Sequence, residues 1–357
     1  LNDLINRKEQ NRIDRFTGLA IFASHEAIYQ SKLLNSNNIN KNNIGVIIGS
    51  GIGGISTFEN QHKRLLKNPK LVSPFFIPSM ISDIASGQVS IKYDLKGPNY
   101  CVVSACSSAS HSIGNAFRTI RYGDADAIIA GGSESGISPI SIAGFSNMKA
   151  LTKNSDINTA CRPFDLNRDG FVMGEGAGVI VLESLENAIK RNANIYGELV
   201  GYGASADAYH LTQPDPQGRG AISSMKIALN DAKIEPSCIN YINAHGTSTK
   251  FNDKIETNAI KSLFKKSAYK LSISSTKSMT GHLLGAAGII ESIACIMAVK
   301  DNIVPPTINH QTNDPEIDNK LNLTLNKAQE RIVNFALSNT FGFGGHNASV
   351  LFKKHKL

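Results

Sequence analysis

The chain has 357 residues, 41% of them hydrophobic and 18% charged, with no tryptophan and a formal net charge of +8. This is ample material for a large core, and the length favours two domains or two similar halves. No apolar run reaches the roughly 20 residues that span a bilayer, since Ala286 to Val299 is broken by Glu291 and Gly18 to Tyr29 by His25 and Glu26. The five cysteines, Cys101, Cys106, Cys161, Cys238 and Cys295, are odd in number and scattered without a C-x-x-C pair, which argues for a reducing compartment and against a disulfide frame or a zinc cluster. The basic excess licenses an acidic partner. Nucleic acid is disfavoured by the absence of Trp, of an RNP-like aromatic run and of zinc-finger spacing.

In chain order, helical spacing covers about Glu9 to Leu34, and Asn35 to Asn43 reads as an Asn-rich solvated linker. A strand at Ile44 to Ile48 leads into Gly49-Ser50-Gly51-Ile52-Gly53-Gly54, which matches G-x-G-x-x-G. A dinucleotide site also needs an acid some twenty residues on, and that region reads Leu65-Leu66-Lys67-Asn68-Pro69, so the glycines are taken as a tight, closely packed turn. A short strand-like run, Tyr100 to Val103, then breaks into Cys106-Ser107-Ser108-Ala109, followed by Ile113, Ala116, Phe117 and Ile120 at helical spacing. Further strands are expected at Ala127 to Ala130, Gly178 to Leu182, Glu198 to Tyr202, Ile239 to Asn243, Leu271 to Ser274, Phe335 to Asn339 and Ala348 to Phe352, with helices at Ala221 to Ala232, Lys254 to Phe264 and Leu283 to Val299. Apolar strands alternating with helices imply sheets covered on both faces.

Cys106 sits at a strand-to-helix elbow, where free N–H groups and the helix dipole favour a thiolate and pull the pKa downward. The same residues also allow a small, inert, buried cysteine. His245, in Asn243-Ala244-His245-Gly246-Thr247-Ser248-Thr249, lies where a strand gives way to a loop, and His282 opens an Ala/Gly-rich helix after Ser275-Thr276-Lys277-Ser278-Met279-Thr280-Gly281. Such positions suit a catalytic base and equally a structural histidine. Ser274 to Lys277 matches S-x-x-K by chance, without K-T-G or S-D-N partners. Gly344-Gly345 after Phe343 offers backbone able to approach a ligand closely.

Together, Ser-Ala-Cys106-Ser-Ser, Asn-Ala-His245-Gly-Thr-Ser-Thr, Ser-Thr-Lys277-Ser-Met-Thr-Gly-His282 and the late Phe341-Gly-Phe343-Gly-Gly resemble the β-ketoacyl-[acyl-carrier-protein] synthases, most closely the elongating type II branch, over nearly the whole chain. A thiolase would carry a second cysteine near the C-terminus and an initiating synthase an Asn where His282 stands, so both are disfavoured. The resemblance implies a thiolase-like five-layer α/β/α/β/α fold of two similar halves, residues 1–195 with the nucleophile and 196–357 with the histidine pair. It implies an acyltransferase that performs decarboxylative condensation of an acyl thioester with malonyl-acyl carrier protein in fatty acid synthesis. The alternatives are a polyketide ketosynthase and a non-catalytic chain-length partner subunit.

By the same resemblance, Cys106 accepts the acyl chain, His245 and His282 promote decarboxylation, and the Cys106 and Phe343 backbone N–H groups hold an oxyanion. Phe343 also resembles a gate, Lys277 an electrostatic organiser, and Asp253 and Glu256 acids behind the site. Thr247 and Thr249 resemble contacts to the phosphopantetheine arm; Ile52 and Phe145 resemble acyl-pocket walls, and Ile113 joins them only as a residue of the Cys106 helix. An acidic acyl carrier protein is the implied partner, with Lys149 by resemblance and Arg7, Lys8 and Lys63 by clustering as its contacts; a homodimer is also implied, with neither nucleic acid nor membrane. No cofactor is required, though Asn243, Glu291, Ser338 and Asn339 match a structural sodium or potassium site.

Three departures stand out. Relatives open with a strand and helix before Arg7-Lys8-Glu9-Gln10 that this chain lacks, and Leu1 is preceded by no signal segment, so a trimmed form is expected. Lys250-Phe251-Asn252 replaces a usual Pro-x-Gly, with Asn expected to preserve a left-handed turn. His346 stands where plastid and cyanobacterial members tend to carry His, which with the Asn/Lys-rich loops implies a plastid-type organelle (apicoplast or chloroplast), the bacterial cytoplasm being the alternative.

Overall fold

The structure, a computed structural model, describes residues 4–35 and 40–356. Residues 36–39 of the expected Asn-rich linker lie outside them, and the described end of that stretch is a tight turn, Lys41–Asn43, capped by the Asn40 side chain. The strands β1 (Ile44–Gly49), β2 (Asn99–Tyr100), β3 (Ala127–Glu134) and β4 (Gly176–Glu183) form one sheet in the order β2-β1-β3-β4. Here β1 runs parallel to β2 and β3, and β4 runs antiparallel to β3. The strands β5 (Glu198–Ala206), β6 (Tyr241–Asn243) and β7 (Ser272–Ser274) join a second sheet, while β8 (Ile303–Val304) and β9 (Gln329–Glu330) pair separately. With β10 (Phe335–Gly342) and β11 (His346–Lys353) the second sheet has the order β5-β11-β10-β6-β7.

Every residue of β1 and β3 is buried, as expected of apolar, β-branched strands covered on both faces. Helices Arg15–Ser31 and Ile84–Tyr93 cover the outer face of the first sheet through Phe16, Ile21, Ile28 and Val89. Helices Arg219–Asp231 and Lys250–Phe264 cover the far face of the second through Met225, Leu229, Ile260 and Phe264. Between the sheets lie helices Ser108–Arg121 and Ala287–Asp301, packed through Ala109, Ile113, Ala287 and Ile289. The result is the five-layer α/β/α/β/α order that the family resemblance implies.

The middle layer is thin because its residues are small. A Cβ on Gly49 would lie 2.7 Å from the Ser108 carbonyl, one on Gly132 2.6 Å from Ala109 Cβ, and one on Gly288 2.1 Å from Ser110 Oγ. Backbone-to-backbone approach of this kind is what positions the start of the Cys106 helix between the two sheets.

Some local expectations need correction. The single helix expected from Glu9 is two, Arg7–Gln10 with an Asn6/Glu9 capping box and Arg15–Ser31 capped by Asp14, because a polar side chain competing for N–H groups starts a helix anew. The strand at Tyr100 to Val103 stops pairing at Tyr100 on the sheet edge, and Val103 is 57% exposed. Lys250 to Asn252 open a helix instead of forming a left-handed turn; the left-handed residues of that loop are Gly246 and Ser248, at φ 38° and 65°. The helix Ile55–Lys67, which fully buries no residue, had no strong apolar signal.

Gly114 faces the Tyr202 ring so closely that an added Cβ would sit 2.3–2.4 Å from three ring atoms. Gly114→Ala should therefore destabilise by about 1–3 kcal/mol despite its better helix propensity; unchanged chemical denaturation would show that the inter-sheet contact has slack.

Candidate active site

Four segments converge on one cavity of about 310 Å³, whose lining includes Cys106, His245, His282, Thr247, Thr249 and Phe343. Each comes from a chain reversal at a strand end: the elbow before helix Ser108–Arg121, the loop after β6, the loop after β7, and the Phe343–Gly345 turn between β10 and β11. Cys106, His245 and His282 are 8%, 3% and 2% exposed. Lys149 and Phe251, both exposed, mark the open end. Phe145, Phe171, Phe341 and Phe343 wall the cavity, with Phe171 edge-on to His282 at 5.1 Å between ring centres.

The elbow is a tight turn, Ala105–Ser107, with Ala105 at φ 50°. That left-handed alanine stores strain at the residue before the thiol, and the Ser108 hydroxyl pins the turn, accepting from the Ser104 N–H at 2.9 Å and donating to the Ala105 carbonyl at 2.7 Å.

The two imidazoles have defined tautomers. The Leu284 N–H donates to His282 Nδ1 at 3.2 Å, and a backbone N–H cannot accept, so the ring proton of neutral His282 sits on Nε2, which is 3.2 Å from Cys106 Sγ. The Lys277 ammonium lies 3.3 Å from His245 Nδ1, donates to the His245 carbonyl at 2.6 Å and pairs with Glu291, so His245 likewise carries its proton on Nε2. Burial first, then the nearby Lys277 charge, hold both histidines well below the usual imidazole range. Two neutral N–H donors therefore face the sulfur's surroundings. Behind them, Glu256 accepts from the His245 and Gly246 N–H groups at 2.8 and 2.9 Å, with burial pushing its carboxyl up to about 7.

Cys106 departs from expectation. Desolvation pushes its thiol up to about 11, only partly opposed by Lys277 and by the Phe343 N–H directed at the sulfur, and Glu134 and Glu291 add to the rise. The thiol lies in the tight turn that runs into the helix, which begins at Ser108. The resting nucleophile is a thiol.

Donor atoms of Cys106, His245 and His282 lie within 4.8 Å of one another, the residue set of a metal centre. A metal on either Nε2 would need the ring proton on Nδ1 with an acceptor beyond it, whereas both Nδ1 atoms face donors. The donor set does not fit a metal.

Of the other expected residues, Phe145, Lys149, Thr247 and Thr249 line the cavity, and the two threonine hydroxyls are 2.9 Å apart. Ile113 is fully buried core between the sheets. Ile52 is not in the lining; it reaches the space over Gly136, where an added Cβ would lie 3.0 Å from Leu284 Cδ1 and 3.6 Å from Ile52 Cδ1. Lys63 lines a separate polar cleft with Asn60, Arg64 and Ser73, while Arg7 and Lys8 are exposed on their own short helix. Asp253 is buried beside Arg168, 3.7 Å away. Arg168 went unnoticed in its polar loop, yet it donates to the Thr249 and Lys250 carbonyls, both at 3.0 Å, and to Asp314. Glu134, the lone acid at the end of the fully buried strand β3, was also missed.

The raised thiol predicts that alkylation of Cys106 by iodoacetamide accelerates about tenfold per pH unit from pH 7 to 9. Intact-mass kinetics that plateau below pH 8 would mean a stabilised thiolate instead.

Comparison with known proteins bears on this geometry. The sequence pattern for "Beta-ketoacyl synthase, N-terminal domain" matches residues 2–188, and that for "Beta-ketoacyl synthase, C-terminal domain" matches residues 196–311. The chain is 54% identical to 3-oxoacyl-[acyl-carrier-protein] synthase 2 of Staphylococcus aureus (strain COL), over 99% of this chain and 85% of that protein. It is 51% identical to the protein of the same name from Synechocystis sp., over 99% and 84%. Among solved structures it is similar to a complex of a type II PKS acyl-carrier protein with its hexaketide-bound ketosynthase, at a TM-score of 0.93 and 35% identity, covering 96% of this chain and 85% of that one.

Proposed function

This chain belongs to the β-ketoacyl synthase family, and on that footing we propose how its residues carry out decarboxylative condensation of an acyl thioester with malonyl-acyl carrier protein in fatty acid synthesis. The observation that carries the proposal is the convergence of the two Nε2–H donors, His245 and His282, on the surroundings of Cys106. Residues 1–195 supply the nucleophile and 196–357 the histidines.

In the first half-reaction the Cys106 sulfur attacks the acyl thioester carbonyl. A new C–S bond forms, the bond to the carrier's pantetheine sulfur breaks, and the thiol proton leaves with the departing pantetheine thiol. The Cys106 and Phe343 N–H groups stabilise the transient oxyanion; Gly342 allows their approach, since a Cβ there would lie 3.1 Å from the Cys106 nitrogen. In the second, malonyl carrier enters past Phe343 and beside Thr247 and Thr249. As carbon dioxide leaves, the electron pair of the broken C–C bond becomes an enolate, whose oxygen accepts from His245 and His282. The enolate carbon attacks the Cys106 thioester and expels the thiolate, which a solvent proton returns to the resting thiol. Lys277 acts through His245, holding its Nδ1 without taking part in bond making.

Both histidines titrate well below neutrality, so their N–H donors persist throughout the physiological range. His245→Ala or His282→Ala should cut malonyl decarboxylation by about a hundredfold or more while leaving measurable transfer of acyl chains to Cys106. Mass spectrometry of the acyl-enzyme, run beside carbon dioxide release, checks this; lost acylation with decarboxylation intact would reverse the assignment.

The carrier is proposed as an acidic acyl carrier protein, in keeping with the carrier complex among the similar structures and with the +8 charge. Lys149 at the cavity mouth is the primary contact, with Lys63, Arg7 and Lys8 as flanking positive charge. Attraction of this kind is screened over about 8 Å at physiological salt, so KM for the carrier substrate should rise with ionic strength and on Lys149→Glu. Indifference to both would remove the electrostatic docking.

The partner is further proposed to be a second copy of the chain, on the edge strand β2, where Tyr100 and Val103 are 39% and 57% exposed beside unpaired backbone. A structural sodium or potassium ion is proposed at Asn243, Glu291, Ser338 and Asn339, supported by Glu291 Oε2 and Ser338 Oγ, buried oxygens that lack a hydrogen-bond partner among the described residues. A plastid-type location rests on His346 and the Asn/Lys-rich loops alone, and the bacterial relatives do not add to it.

A further inference from the structure

Glu134 ends β3, is fully buried, and has no cation beside it among the described residues. Its two oxygens accept four hydrogen bonds: Oε1 from the Ser50 hydroxyl at 2.9 Å and the Ile52 N–H at 3.2 Å, Oε2 from the Gly51 N–H at 2.7 Å and the Gly285 N–H at 2.9 Å. Four donors on four lone-pair sites match an ionised carboxylate, since a protonated one would aim its own hydrogen at a donor. The G-x-G-x-x-G loop thus spends its N–H groups on an internal carboxylate, which explains why it offers nothing to a phosphate.

The fourth donor matters most. Gly285 follows Leu284, whose N–H sets the tautomer of His282. Leu284 is held at φ 49°, a left-handed conformation unfavourable for a leucine, so the turn needs an external tether. No side chain fits at Gly285, because a Cβ would lie 2.2 Å from the Gly51 nitrogen and 2.5 Å from Glu134. At the other end of the same carboxylate, Ile52 and the cavity-lining Leu284 share the space over Gly136.

We infer that Glu134 is a positioning residue that ties the Gly51–Ile52 wall to the Leu284–Gly285 turn and so holds His282 with its Nε2–H toward the reacting carbonyl. It touches neither substrate nor sulfur. A bound acyl chain that presses on the cavity-lining Leu284 loads the turn that Glu134 tethers through Gly285, so chain occupancy and decarboxylation are coupled. The inference rests on the proposed condensation.

The test compares malonyl decarboxylation with Cys106 acylation in the wild type and in Glu134→Gln, alongside ¹⁵N-histidine NMR. Glutamine keeps one accepting oxygen and in either orientation sets its NH₂ against at least one N–H donor, that of Ile52 or those of Gly51 and Gly285. Decarboxylation should fall about tenfold or more while acylation falls no more than about threefold, and the His282 resonances should change from a pure Nε2–H tautomer to a mixture. Equal losses in both half-reactions, or an unchanged tautomer, would overturn the inference. Should Glu134→Gln not fold, Ser50→Ala, which removes one donor, decides: the ratio of decarboxylation to acylation should fall about two- to fivefold, and a constant ratio rejects the coupling. A wild type that acylates Cys106 but releases no carbon dioxide would sink the condensation reading, and the tautomer comparison would still judge Glu134.

Discussion

The site depends on a buried lysine. Lys277 is 1% exposed and shares its ammonium among Glu291, the His245 carbonyl and His245 Nδ1. A buried charge is tolerated only when its hydrogens are all engaged, and here the three partners come from the β6 loop and from a helix of the middle layer. The arrangement has a chemical consequence beyond stability. A cation on Nδ1 forbids His245 from becoming an imidazolium and leaves its proton on the side facing the cavity, so a positive charge makes a neutral donor. His282 reaches the same state by a different route, with a backbone N–H in place of the ammonium. Two donors that need no protonation event suit a reaction in which negative charge appears on an oxygen after a neutral gas departs.

The layered fold serves this arrangement. Strand ends from both sheets meet where the middle helices start, and the small residues there (Gly49, Ser108, Ala109, Gly132, Gly288) bring the segments within reach of one another. Larger residues would add hydrophobic contact but would separate the sheets and with them Cys106 from its histidines.

What could be read from the chain was whatever is local. Cys106, His245, Lys277, His282 and Phe343 each sit in small, polar surroundings shortly after a strand or strand-like run, a pattern visible within a dozen residues. Most strands were legible for the same reason. The protonation of Cys106 was not, because its governing terms, desolvation and the charges of Lys277, Glu134 and Glu291, come from segments up to 185 positions away in the chain. Arg168 and Glu134 were hidden likewise: a buried charge is recognisable only by its partners, and those lie in other segments. The Lys250–Asn252 segment misled because the left-handed strain expected there is carried by Gly246 and Ser248 instead. Ile52, expected in the cavity wall, does not line the cavity and shares with Leu284 the space over Gly136.

The neutral state of the resting thiol reaches beyond the catalytic cycle. Peroxides and soft electrophiles consume thiolates, and their rates follow the anionic fraction. A cysteine pushed up to about 11 offers them almost nothing between turnovers, even though the same sulfur is reactive toward a carbonyl held against the Phe343 and Cys106 N–H groups. Nucleophilicity is thereby made conditional on the shape of the electrophile, and burial acts as a chemical filter that favours a molecule able to place an oxygen among those donors.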